Sequence, residues 1–173
     1  MKTLIILCIG ALMAPVAYSQ TNLEKAEAYY KQGLTAESAG NADKALASYK
    51  AAVLLNPQHA NARYRLEQTK INKSAITATG TKARINSVTI PSFVVEDASL
   101  SESIELLGVL IEKQTAGKIA PNFIIEDPQG KLSNKTVNLE VKNVPVGALL
   151  NFIHGQTDSK ARYDPHAVVI RPL

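Results

Sequence analysis

Two stretches 46 residues apart carry the same pattern, and this constrains the fold more than any other feature of the chain. Asp97-Ala98-Ser99-Leu100 aligns with Asn143-Val144-Pro145-Val146, Ser103–Leu107 with Leu149–Ile153, and Phe123-Ile124 with Val169-Ile170. In the first, Leu100, Ile104, Leu107 and Ile111 fall on one helical face, with Ser103 and Leu110 beside them. In the second, Val146, Leu149, Leu150 and Ile153 do the same. Ser99 followed three residues later by Glu102 forms a capping box, which predicts a helix from Leu100 to about Thr115. Pro145 suits the first turn of the second helix and Gly155 the residue past its end. Strands are predicted at Ser87–Val95, where Pro91 implies an edge or a bulge, and at Phe123–Ile125. Alternation predicts another at Thr136–Val141, and Val168–Ile170 is a β-branched run with which Ala161–Tyr163 is expected to pair as an added strand. Asp127-Pro128-Gln129-Gly130 reads as a turn. Residues 84–173 are therefore expected to form an α+β domain, a β-α-β unit used twice, with two helices on one sheet.

The front half has a different period. Leu23–Ala39 and Ala42–Leu55 read as two helices, separated by Gly40-Asn41 and stopped by Asn56-Pro57. Gly33 and Ala45 are small enough to let the helices approach, and Tyr29, Leu46 and Tyr49 fill the space beside them. With Gly40, Ala52 and Pro57, these residues resemble a tetratricopeptide repeat, whose period is about 34 residues. Ala36 stands where that family has a larger aromatic. A third helix, His59 to Lys73, begins like another repeat at Ala60-Asn61-Ala62-Arg63-Tyr64 and then turns polar, as the family's capping helix does. The resemblance implies that residues 20–73 form an all-α hairpin repeat with a cap. A single repeat needs a neighbour on its open face: the following domain, another copy of the chain, or a partner. It also implies a peptide-binding groove lined by first-helix side chains, here Tyr30, Leu34 and Glu37; ordinary packing is the alternative role for these three. Residues 74–83 are small and polar without periodicity and are expected to be a linker.

Residues 1–19 read as a secretory signal peptide. Lys2 is the basic start, Leu4–Val16 the apolar run, and Ala17-Tyr18-Ser19 the small-x-small site before Gln20. The run is short for a bilayer span, which takes about 20 residues, so an uncleaved anchor is the lesser reading. Cys8 is the chain's one cysteine; Leu7 before it argues against lipidation, and cleavage would leave no thiol for disulfides, catalysis or metal binding. The expected location is the periplasm or cell surface. Apolar content of 46% excludes a disordered or polytopic chain. The net charge is +4, with nine Lys and Arg against five Asp and Glu in residues 20–83 and nine against ten in residues 84–173. That excess is too diffuse for a nucleic-acid footprint.

The phrases Asp97 to Leu107 and Asn143 to Ile153, with the closing Tyr163…Val168-Val169-Ile170-Arg171-Pro172, resemble the short N-terminal domain of secretins and TonB-dependent receptors. The resemblance covers nearly all of residues 84–173. It implies a periplasmic part of a secretion, type IV pilus or uptake assembly that works by contact with secretin, pilus or receptor components. The alternative it implies is a sensing or signalling module, as in transducing receptors. Relatives continue into a pore or barrel, so a sequence ending at Leu173 is expected to serve beside a channel rather than form one. No phosphate loop, nucleophile elbow or zinc-binding H-E-x-x-H motif is present. His59, His154 and His166 are predicted at a helix start, a helix end and a turn, without ligand spacing. Glu126-Asp127 lacks the calcium-loop pattern. The expectation is a binding protein with no catalytic residues, cofactor or metal.

Overall fold

The computed structural model describes residues 21–173; the expected signal peptide, with Cys8, lies outside the described residues. Helix α1 (Asn22–Ser38) opens on a capping box in which Thr21 and Glu24 satisfy each other's backbone N–H groups. Helix α2 (Ala42–Leu55) starts at Asn41, whose side chain accepts from Lys44 N–H. The two pack side by side around Tyr49, which is fully buried with Ala36 and Ala45, while Tyr30, Leu34 and Leu66 close the rim. Gly33 has to be glycine, because any Cβ there would run into the Tyr49 ring. Helix α3 (Ala60–Ile71) begins with the His59 ring accepting from Ala62 N–H, and it lies against α2.

The expected linker is instead a helix, α4 (Lys73–Asn86), divided from α3 by Asn72 alone. Its Thr and Gly residues are weak helix formers, and the face it buries is made of small residues, Gly80 and Thr81, with only Ile85 large. Close approach takes the place of an apolar stripe. Gly80 lies against Gly40, in the turn between α1 and α2, so closely that neither position has room for a side chain. Gly40 also has a left-handed φ of 72°, which glycine adopts without strain. The Lys73–Asp43 ion pair, at 2.6 Å, ties the start of α4 to the start of α2.

After α4 the chain forms strand β1 (Thr89–Ser99), helix α5 (Leu100–Gln114), strands β2 (Phe123–Ile125) and β3 (Thr136–Pro145), helix α6 (Val146–Thr157), and strands β4 (Ser159–Tyr163) and β5 (Val168–Pro172). The protein is thus mixed α/β, with six helices and five strands among the described residues. The strands do not share one sheet as expected. β1 and β3 form an antiparallel ribbon, while β2, β5 and β4 form a separate sheet with β5 central, parallel to β2 and antiparallel to β4. β2 has three residues and pairs with β5 alone, and no strand pairing joins it to the ten- and eleven-residue ribbon.

One core serves both sheets. Phe93, Val137, Leu107, Ile111, Leu149, Ile153, Val168 and Ile170 are all buried in it. Fully burying such side chains stabilises by roughly 1.5–3 kcal/mol each. The capping box at Ser99 and Glu102 is formed, and its hydrogen bonds hold the Glu102 carboxyl below the usual range. Asp97 and Asn143, aligned in the sequence, both take left-handed backbone, with φ of 48° and 54°, two residues before the last strand residue hands over to a helix. Asp and Asn tolerate that region better than most residues. α6 runs through His154 and Gly155, where a stop was expected, and ends at Asp158 with φ 51°. Its buried Thr157 continues the core face, so the apolar contact outlasts the glycine signal.

The two halves meet along α4. Thr81 Oγ1 donates to Pro165 O at 3.2 Å, the Tyr163 hydroxyl donates to Asn86 Oδ1 at 2.6 Å, and Lys82 Nζ sits 5.6 Å from the centre of the Tyr163 ring. Gly147 at the start of α6 fits beneath Asn86. No helix among the described residues is long and apolar enough to cross a membrane.

Candidate interaction surfaces

Tyr30, Leu34 and Glu37 lie together on the side of α1 that faces α2 and α3. Tyr30 is stacked at a tilt on Tyr49 and on the His59 ring, with centroids 6.0 and 4.8 Å apart. Leu34 packs on the Tyr49 cluster. Glu37 accepts from the Tyr49 hydroxyl at 2.6 Å and pairs with Arg65 at 3.4 Å. Burial, then the hydrogen bond to Glu37, pushes the Tyr49 phenol up, so it stays a donor. The three residues thus take part in the seam of the helical half, and each is only partly exposed. The third helix arrives along the very face that the sequence leaves open.

The free apolar surface lies on the other side of that seam. Val53 on α2 and Ala60, Tyr64 and Leu66 on α3 line a groove of about 500 Å³. Leu54 is 73% exposed, Tyr64 62% and Ile71 75%, which is high for residues of that size. Arg63 and Glu67 border the groove and give it both signs of charge. The sequence carried a hint of this: Leu54-Leu55 and Tyr64 exceed what one buried helical stripe uses.

The second open surface is the β1–β3 ribbon. Neither strand has any other partner among the described residues, so each carries an unpaired edge. Ser92–Val95 pairs in unbroken register with Leu139–Lys142. Beyond Val95 the register slips, and Glu96 and Asp97 together oppose Asn138, a one-residue bulge. Asn138 repairs the break: its Oδ1 accepts from Asp97 N–H at 2.8 Å, while its own N–H donates to Gln156 Oε1 at 2.8 Å and its carbonyl accepts from Gln156 Nε2 at 3.0 Å. Gln156 thus ties the ribbon to α6, while Val94, 56% exposed, stays on its surface.

No protein-family model, no curated protein and no solved structure matches the chain.

The remaining polar residues singled out by sequence are engaged locally. Asp127 accepts from the N–H groups of Lys131 and Leu132 with its two oxygens, which makes it a turn cap. His59 caps α3 and reaches Glu27 at 3.2 Å, and His166 sits in the turn between β4 and β5. His154 is the one that sequence under-reads. Its Nδ1 shares a 2.7 Å hydrogen bond with the buried Ser159 hydroxyl, which in turn meets Thr157 Oγ1 at 2.8 Å, and its Nε2 is buried without a partner. Burial lowers its pKa below the ordinary 6.5. The folded state therefore binds this proton less well than the unfolded chain. The full contribution of neutral His154 to stability is present above the unfolded value and is lost as pH falls through the lower, folded value. The urea midpoint is expected to drop between pH 7.5 and 5.5, and His154→Gln to flatten that slope. Equal slopes in both proteins would assign the pH dependence to other groups.

Proposed function

We propose that this chain is a non-enzymatic adaptor of the bacterial periplasm, holding protein partners within a secretion, type IV pilus or related envelope assembly. In this reading α1 and α2 are one tetratricopeptide-type hairpin, α3 is its cap, and residues 84–173 are a duplicated β-α-β domain of the secretin and TonB-receptor type. The close fit of Gly33 on Tyr49 and the matched left-handed residues Asp97 and Asn143 support those two assignments.

The observation that carries the reading is the β1–β3 ribbon, tied to α6 at Asn138 and with no third strand paired on either side among the described residues. Such an edge recruits a strand from another domain by main-chain hydrogen bonding, with side-chain pockets adding selectivity. The α2–α3 groove supplies a second, apolar contact of a kind suited to a helix. The test is recovery from envelope extracts of the source bacterium with the full chain as bait, followed by site-specific crosslinking from position 94. Crosslinks to a secretin, pilus or receptor component are expected. Crosslinks confined to a transcription-regulator domain would favour the signalling role instead, and no crosslink to any envelope protein would count against the adaptor.

A further inference from the structure

Where the two halves join, three segments far apart in sequence surround a recess of about 260 Å³. The end of α4 contributes Thr81 and Arg84, the loop after α5 contributes Lys118 and Asn122, and the turn between β4 and β5 contributes Pro165 and His166. Every charged or titratable side chain on this lining is basic, and no carboxylate is among them. Neither Arg84 nor Lys118 forms an ion pair among the described residues.

One ordinary explanation is that these cations answer the negative ends of α4 and α5, since Arg84 lies in the last turn of α4 and Lys118 shortly past α5. Each helix end carries about half a negative charge. Two full positive charges exceed two such halves, so the helix ends do not fully offset them. Donor-bearing residues are also in surplus at the recess: Arg84, Lys118, Asn122 and His166 all line it. The walls are fixed, because Thr81 is buried and hydrogen-bonded to Pro165 O, and Val168 N–H donates to Asn122 O at 2.8 Å.

We propose that this recess binds a small oxyanion, a carboxylate or phosphate group held chiefly by Arg84 and Lys118. A volume of about 260 Å³ is below the roughly 300–1,000 Å³ of sites for larger ligands. It suits a free small anion or one acidic terminus rather than a nucleotide-sized cofactor. The anion would bridge α4 to the loop after α5 and the β4–β5 turn, linking the helical half to the α/β half. The inference stands on this recess alone and is independent of the adaptor reading.

The experiment is a two-dimensional amide NMR titration of the mature chain with sodium phosphate and, separately, sodium succinate, at ionic strength held constant with chloride. Saturable shifts are expected at Thr81, Lys118, Asn122 and His166 with at least one of the two anions, and the one preferred names the ligand chemistry. The double variant Arg84→Gln/Lys118→Gln is expected to weaken that binding at least tenfold with the rest of the spectrum unchanged. The charge-keeping pair Arg84→Lys/Lys118→Arg is expected to retain it. Linear, non-saturating shifts with both anions, or equal affinity in the double Gln variant, would overturn the site.

Discussion

Removal of Ala167–Leu173 is expected to abolish cooperative unfolding of the α/β half. These residues contain β5, the central strand of the three-stranded sheet, which holds β2 on one side and β4 on the other. Val168 and Ile170 are fully buried and Val169 is 5% exposed. At about 2 kcal/mol per buried side chain, their loss alone removes about 6 kcal/mol. The orphaned backbone of β2 and β4 adds to this. A domain's whole stability is typically about 5–15 kcal/mol, so the remainder cannot hold a unique core. Far-UV circular dichroism during urea titration is the measurement. A truncated chain that keeps a single sharp transition with an unchanged slope would show that β5 is dispensable.

Gly80→Val is expected to destabilise the protein by about 3 kcal/mol and to uncouple its two halves. A Cβ at position 80 would lie 2.7 Å from the Gly40 carbonyl oxygen and 2.8 Å from its Cα, and both are backbone atoms that cannot rotate aside. Valine is the better helix former by a few tenths of a kcal/mol, but overpacking a closed seam costs about 1–3 kcal/mol or more. The steric effect therefore decides the sign. The seam is also where α4 carries the helical half onto α6 and β4. Calorimetry is thus expected to resolve two transitions in place of one. Gly155→Ala is the matched control: it lies within α6, and a Cβ there meets nothing within 4 Å. It is expected to stabilise by about 0.5–1 kcal/mol. An unchanged melt for Gly80→Val would mean that α4 can shift away from the turn at little cost.

Most elements announce themselves in the sequence. The second helix was bounded at Ala42 and Leu55, as found, because Asn41 and Asn56-Pro57 punctuate it in chemistry as well as in pattern. The start of α5 was equally legible, since a capping box is a local device that needs no tertiary partner. α4 was hidden for the opposite reason: its face is readable only when Gly40, some forty residues away, is known to lie opposite Gly80. The separation into two sheets was hidden too, because strand signals give no account of which strands lie within reach of each other. At the candidate surfaces, helical spacing puts Tyr30, Leu34 and Glu37 together on one face of α1, but only the position of α3 reveals that this face is a seam. The recess at Arg84, Lys118 and His166 draws on three separate segments, each unremarkable alone.

The bulge at Glu96 and Asp97 bears on a hazard that every open ribbon carries. An uninterrupted apolar edge is a template on which further copies can add indefinitely, as in fibrils. Here Pro91 removes one N–H at one end of the even register, and the slipped register with its left-handed Asp97 ends it at the other. Between them only Ser92–Val95 stays regular. Four residues suffice to seat one short guest strand and are too few to propagate a stack, so the irregularity that breaks the register also limits edge-to-edge growth.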